Sequence, residues 1–218
     1  MNKEICILCN TELELHLFSE DGKTCKECVR LMYRKESPEK YLMSLGVGKR
    51  HSVCTFENYN GNEHKRLMEL LINDFGENVL IQSANVGNGK THLAVASLLK
   101  YGLINNGIHR FVNYTNLMLE IKSTFSNETT ENESDIINKY CGYNMLVIDD
   151  VGAERGTDYT ISILYIILNN RYEASKPTII TTNMVGDEIL NQYGKRILSR
   201  LRSGYLITLN SKDHRGLK

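Results

Sequence analysis

Residues 78–99, NVLIQSANVGNGKTHLAVASLL, decide how the rest of the chain is read. They open on a short aliphatic run, Asn78 to Gln82, with the composition of a buried strand, and pass through a loop holding Gly87 and Gly89. They then enter an apolar stretch, Lys90 to Asn105, long enough for a helix. Strand, glycine-bearing loop and helix in this order are what a phosphate cradle requires. The glycines let the backbone bend so that successive N–H groups converge on an anion at the positive end of the following helix. Asn85, Val86, Gly87, Asn88 and Gly89 supply the loop, and Lys90, Thr91 and His92 the first helical turn. Lys90, expected as an exposed loop lysine, would reach the β- and γ-phosphates of a nucleoside triphosphate, with the Thr91 hydroxyl on Mg2+. The pattern GxxxxGK[ST] usually opens on glycine; here that position is Ala84.

Outward from this stretch, short aliphatic runs alternate with helical ones in the manner of a parallel α/β sheet. Strands are expected at Asn78–Gln82, Arg110–Tyr114, Met145–Asp149, Thr178–Thr182 and Tyr205–Leu209, a five-stranded sheet. Helices are expected at Glu63–Phe75, Lys90–Asn105, Asn116–Phe125, Asp135–Tyr140, Asp158–Tyr172 and Asp187–Arg202, with the polar run 126–134 as a loop. The strand MLVIDD (145–150) ends in two carboxylates about sixty residues after Lys90. Asp149 suits the magnesium-linked acid and Asp150 the residue that polarises an attacking water. Asp150 is shorter than the glutamate more usual in that role. The strand PTIITTN (177–183) ends in Asn183, whose amide can orient the water if the strands are neighbours, or can simply end a strand in a turn.

Four of the six cysteines crowd the first 28 residues as Cys6-x-x-Cys9, fifteen residues, Cys25-x-x-Cys28. Each pair can turn two thiolates to one point, and the intervening loop lets the second pair complete a tetrahedron around Zn2+. Two disulfides are the alternative in an oxidising compartment. Cys54 and Cys141 stand alone and suit buried apolar positions. A unit this small builds little core, so metal supplies its folding energy. Short helices around Pro38 link it onward, giving a zinc-binding module and linker at 1–45 and a nucleotide-binding domain at 46–218.

Of the 218 residues 41% are apolar and 24% charged, the composition of a globular protein. Lys plus Arg equals Asp plus Glu at 26 each, so bulk charge makes no case for nucleic acid. The longest apolar run, Ile163 to Leu168, is far short of the roughly 20 residues of a spanning helix, so no membrane partner is expected. The beginning MNKEICILCN lacks the apolar centre of a secretion signal, which points to the cytoplasm.

Four blocks, GNGKTHLAVA (87–96), LVIDDVGAER (146–155), NRYEASKPTIITTN (170–183) and RILSRLRSGY (196–205), resemble the DnaC/DnaI-type replicative helicase loaders, and less closely the IstB-type transposition ATPases. The resemblance runs from about Val47 onward. It implies an AAA+ core binding ATP, with the Asn183 strand between the Lys90 and Asp149 strands and Asn183 as first sensor. Arg200 matches the arginine finger that touches ATP on a neighbouring subunit, and hence implies self-association through the ATP interface. Arg215 matches the second sensor; the family's helical lid is expected to be absent. Lys122 and Phe125 in LMLEIKSTF, and Thr157 and Tyr159 in ERGTDY, resemble places that face single-stranded DNA. Read without the family, Phe125 falls on one apolar helical face with Leu117, Met118 and Ile121, and Arg196 and Arg202 sit on a solvated basic face. The implied activity is ATP-dependent loading of a replicative helicase onto single-stranded DNA. The alternatives are an IstB-like transposition helper and a zinc-bearing adaptor in which ATP is only a structural switch.

Overall fold

The strand β3 (Val79–Gln82) is buried at every position, and the reason is that its sheet is covered on both faces. The computed structural model describes residues 3–20, 22–72, 76–125, 131–153 and 156–210. Five parallel strands, β3, β4 (His109–Asn113), β5 (Met145–Val151), β6 (Thr178–Thr182) and β7 (Tyr205–Thr208), lie in the order β4-β5-β6-β3-β7. Strand β6 therefore stands between the strand that precedes the glycine loop and the strand that carries the acid pair.

Alternation along each strand sends side chains to two cores. Val79, Ile81, Val147 and Ile179 join one core with α2 (Pro38–Ser44), α3 (Glu63–Ile72) and α4 (Lys90–Ile104). Leu80, Leu146, Ile148 and Ile180 join the other with α5 (Tyr114–Ser123), α6 (Glu133–Gly142), α7 (Asp158–Glu173) and α8 (Asp187–Leu201). Two boundaries differ from the sequence expectation for a local reason. The Asn113 side chain accepts from the Thr115 N–H and caps α5, so Tyr114 opens the helix instead of closing the strand. Asn132 and Asp135 form a capping box that starts α6 inside the polar run. Residues 73–75, the end of the expected Glu63–Phe75 helix, and 126–130 lie outside the described residues.

Arg171 on α7 is fully buried without a carboxylate partner among the described residues. Its guanidinium donates to the carbonyls of Tyr140, Tyr143 and Pro177 at 2.7–3.0 Å and to the Thr178 hydroxyl, and burial pulls its pKa down to about 10. It thereby satisfies the carboxyl end of α6, whose last carbonyls have no intrahelical donors.

The first residues form an antiparallel pair, β1 (Lys3–Ile5) and β2 (Glu12–Glu14), followed by α1 (Lys26–Glu36). Their small core is Cys6, Phe18 and Cys25 with Leu13 and Cys28 against it. Helix α1 meets α4 through Arg34, which donates to the Gly102 carbonyl at 2.8 Å and lies 5.2 Å from the centre of the Tyr41 ring.

Candidate nucleotide and metal sites

Helix α4 is preceded by its N-cap Gly89, which has φ +94° and no side chain to bond the first-turn N–H groups, so the cap itself leaves room for an anion there. The position admits nothing larger: a Cβ there would sit 2.6 Å from Cε2 of Tyr59. Gly87 also has positive φ, which gives the loop its turn. Lys90 is buried, not exposed as the sequence suggested. Its Nζ donates to the Asn85 carbonyl at 2.8 Å and to Asn88 Oδ1 at 3.2 Å, both within its own loop.

The carboxyl ends of β3, β5 and β6 converge on one cleft of about 740 Å3. Val86 to His92, Asp149, Asp150 and Asn183 all line it, so the loop, the acid pair and the strand-ending amide are brought together as expected from the sequence. Thr91 Oγ1 donates to Asp149 Oδ1 at 3.0 Å, which sets a hydroxyl and a carboxylate side by side as hard oxygen ligands for Mg2+. Burial raises the Asp149 pKa, opposed by the hydroxyls of Thr181 and Thr91. Asn183 Nδ2 donates to Asp150 Oδ1 at 2.9 Å. This bond holds one carboxylate oxygen of Asp150 in place.

Arg50, His51, Asn58, Tyr59 and Asn60 form the opposite wall, and nothing in the sequence reading assigned them. His92 ties this wall to α4 through a 2.8 Å bond between Nε2 and the Thr55 carbonyl, and its ring meets that of Tyr59 edge-on at 5.2 Å. Segment 50–60 has neither helix nor strand periodicity, so only its mix of aromatic and amide side chains next to an α/β unit could have signalled a ligand wall.

Arg200, near the end of α8, is not among the residues lining the cleft. Its guanidinium lies 4.4 Å over the Tyr172 ring and donates to Asn169 Oδ1 at 2.9 Å. Arg215 lies outside the described residues. Phe125 follows the end of α5 and is 62% exposed, which removes it from the apolar face formed by Leu117, Met118 and Ile121. Its ring lies 5.7 Å from that of Tyr159, and Tyr159 donates to Glu133 Oε2 at 2.7 Å. Thr157 caps α7, and Lys122 is exposed on α5.

The sulfurs of Cys6, Cys9, Cys25 and Cys28 lie within 4.8 Å of one another. Cys6 to Cys28 is 3.8 Å and Cys9 to Cys25 is 3.9 Å. A tetrahedron with Zn–S bonds of about 2.3 Å has edges of about 3.8 Å, so the donor set fits that ion. Backbone N–H groups of Cys25 and Cys28 point at Cys6 Sγ and Cys25 Sγ, as thiolates require. The first of these contacts draws the Cys6 pKa down to about 6.

A model of the IstB-like ATP binding protein family matches residues 30–200. The chain belongs to that family. Among curated relatives of this IstB-like chain is the replicative helicase loader DnaC of Buchnera aphidicola subsp. Baizongia pistaciae, 27% identical over 203 residues, 89% of this chain and 82% of the relative. DnaC of Escherichia coli K12 is 28% identical over 166 residues, 73% of this chain and 67% of the relative. The crystal structure of the DnaC helicase loader superposes with a TM-score of 0.65 at 21% identity, covering 75% of this chain and all of that one. The IstB-like chain thus has the AAA+ fold, with a cysteine cluster at its beginning able to hold a metal ion. Among the described residues no helix is long and apolar enough to cross a membrane.

Proposed function

We propose that this protein is an ATPase that loads a replicative DNA helicase onto single-stranded DNA and acts in the cytoplasm. The observation that carries the reading is the pairing of Thr91 with Asp149 and of Asn183 with Asp150 in one cleft, beside a loop built for phosphates. In this reading Lys90 exchanges the Asn85 carbonyl and the Asn88 amide oxygen for phosphate oxygens when ATP enters. Thr91 and Asp149 hold Mg2+, which when bound neutralises phosphate charge. Asp150, fixed through Asn183, accepts the proton of the attacking water. Arg200, turned away from its own cleft, stabilises charge on ATP held by a neighbouring copy, and Arg215 serves as second sensor.

The relatives named as loaders support helicase as the partner. Residues 1–45 form the zinc-binding module that holds it, and 46–218 the ATPase domain. Ile5, Ile7, Leu8, Met32 and Tyr33 are exposed on that module, more apolar surface than a free unit of this size needs. Phe125 and Tyr159 offer a ring pair on which bases of any sequence stack, with Lys122 and Thr157 toward phosphates. The test is phosphate release with and without single-stranded DNA, with Asp150→Asn as the control. Turnover that rises with single-stranded DNA in the wild type and is lost in the variant supports the reading; absence of turnover with every DNA leaves an adaptor with ATP as a switch.

A further inference from the structure

The pairing of β5 with β6 is regular up to Ile148 opposite Ile180 and resumes with Val151 opposite Thr182. Two residues, Asp149 and Asp150, therefore stand against one, Thr181. This is a β-bulge, the device by which a strand re-aims a side chain beside a site. Its cost is visible in the backbone, since Asp150 has φ +61°, a left-handed conformation that non-glycine residues adopt only where surroundings hold them.

Thr181 supplies that hold. Thr181 is 1% exposed, and its hydroxyl has one proton and lone pairs to place. The Asp150 N–H donates to Thr181 Oγ1 at 2.8 Å, and Thr181 Oγ1 donates to Asp149 Oδ1 at 2.7 Å. One hydroxyl thus fixes the strained backbone of the second acid and the carboxylate rotation of the first. Asp149 Oδ1 receives both threonines, Thr91 at 3.0 Å and Thr181 at 2.7 Å, and Oδ2 takes a 3.3 Å contact from Thr91. Beyond the bulge Thr182 Oγ1 donates to the Val151 carbonyl and closes the irregular stretch.

We infer that Thr181 is a positioning residue that sets both acids at once: it aligns Asp149 toward Mg2+ and turns Asp150 to the cleft, where Asn183 meets it. The inference rests on the ATPase reading for its catalytic half only. Removal of a hydrogen-bonding partner behind a metal ligand costs roughly 10–100-fold in metal affinity or activity.

The test uses the full chain as wild type, Thr181→Val, which keeps the shape and removes the hydroxyl, and Thr181→Ser, which restores it. Binding of a non-hydrolysable ATP analogue is followed as MgCl2 is titrated, and kcat and KM for ATP are measured separately. Thr181→Val is expected to shift the Mg2+ midpoint upward by about tenfold and to lower kcat by roughly 10–100-fold, with analogue binding in EDTA unchanged. Serine should restore both. An unshifted Mg2+ midpoint in Thr181→Val overturns the inference, as does a serine variant as impaired as valine, which would make the γ-methyl group the important part. If Thr181→Val gives no cooperative melt, Thr181→Ala is measured with the same two outcomes. A wild type that turns over no ATP would refute the ATPase reading, and the Mg2+ midpoint would still decide the role of Thr181.

Discussion

Removing the metal from Cys6, Cys9, Cys25 and Cys28, by chelation or by Cys25→Ser, is expected to unfold the first 28 residues and leave the α/β core standing. The magnitude follows from what else holds the module. Among the described residues its buried apolar side chains besides cysteine are Phe18 and, in part, Leu13. Burial of these is worth about 4 kcal/mol. Ordering even ten residues of backbone costs about 10–20 kcal/mol, beyond what two side chains offset. A structural zinc contributes about 10–16 kcal/mol, which is the missing quantity. The α/β core, by contrast, is closed by Leu80, Leu93, Val147 and Ile180, all essentially inaccessible to solvent and all distant in sequence from the cysteines. Zinc content by elemental analysis should be one per chain. Amide hydrogen exchange after chelation should lose protection at Cys6, Phe18 and Cys25, whose N–H groups are hydrogen-bonded, and keep it in β3 and β5. Metal-free wild type with those three amides still protected would refute the reasoning.

Three further outcomes are expected. Lys90→Ala should abolish tight ATP binding in a nucleotide titration yet remain folded, at a cost of about 1–3 kcal/mol for the buried Asn88 acceptor it leaves; unchanged affinity would remove Lys90 from the phosphate site. Arg200→Ala should bind ATP like the wild type, fail in turnover, and recover part of it when mixed with Lys90→Ala in a concentration-dependent way; full turnover by Arg200→Ala alone would transfer the role to Arg196 or Arg202. His109 is held neutral by burial, with its pKa lowered to about 4. The unfolded chain therefore takes up its proton first, so stability present above pH of about 6.5 should be lost as pH falls toward about 4, by about 3 kcal/mol. Urea midpoints across that range should fall less steeply for His109→Gln, and parallel slopes would exclude His109.

The sheet was legible because its signals are local and periodic: buried aliphatic runs such as Val79–Ile81 and Met145–Ile148 have no other reading in an alternating chain. That the glycine loop and the acid pair share one cleft was legible because glycine, lysine and adjacent carboxylates at strand ends are rare combinations. Arg171 was not, since an arginine on a helix reads as a solvated side chain until the carbonyls it meets are placed around it. Thr181 was equally hidden, because a threonine in a β-run signals strand propensity, and its bridging role exists only once β5 bulges against β6. The wall formed by Arg50 to Asn60 depends on chain path through a segment with no repeat at all. Phe125 was ambiguous because the sequence does not mark where α5 stops.

Helix α4 is a strut about 22 Å long. One tip carries Gly89 and Lys90; at the other, the Gly102 carbonyl takes the guanidinium of Arg34 from the helix that follows Cys25. A displacement of the cysteine module would thus bear on the same rod whose far tip carries the glycine loop of the proposed phosphate site. In the proposed function, stiffness rather than a relay of small rearrangements would couple the partner-holding end to the nucleotide end.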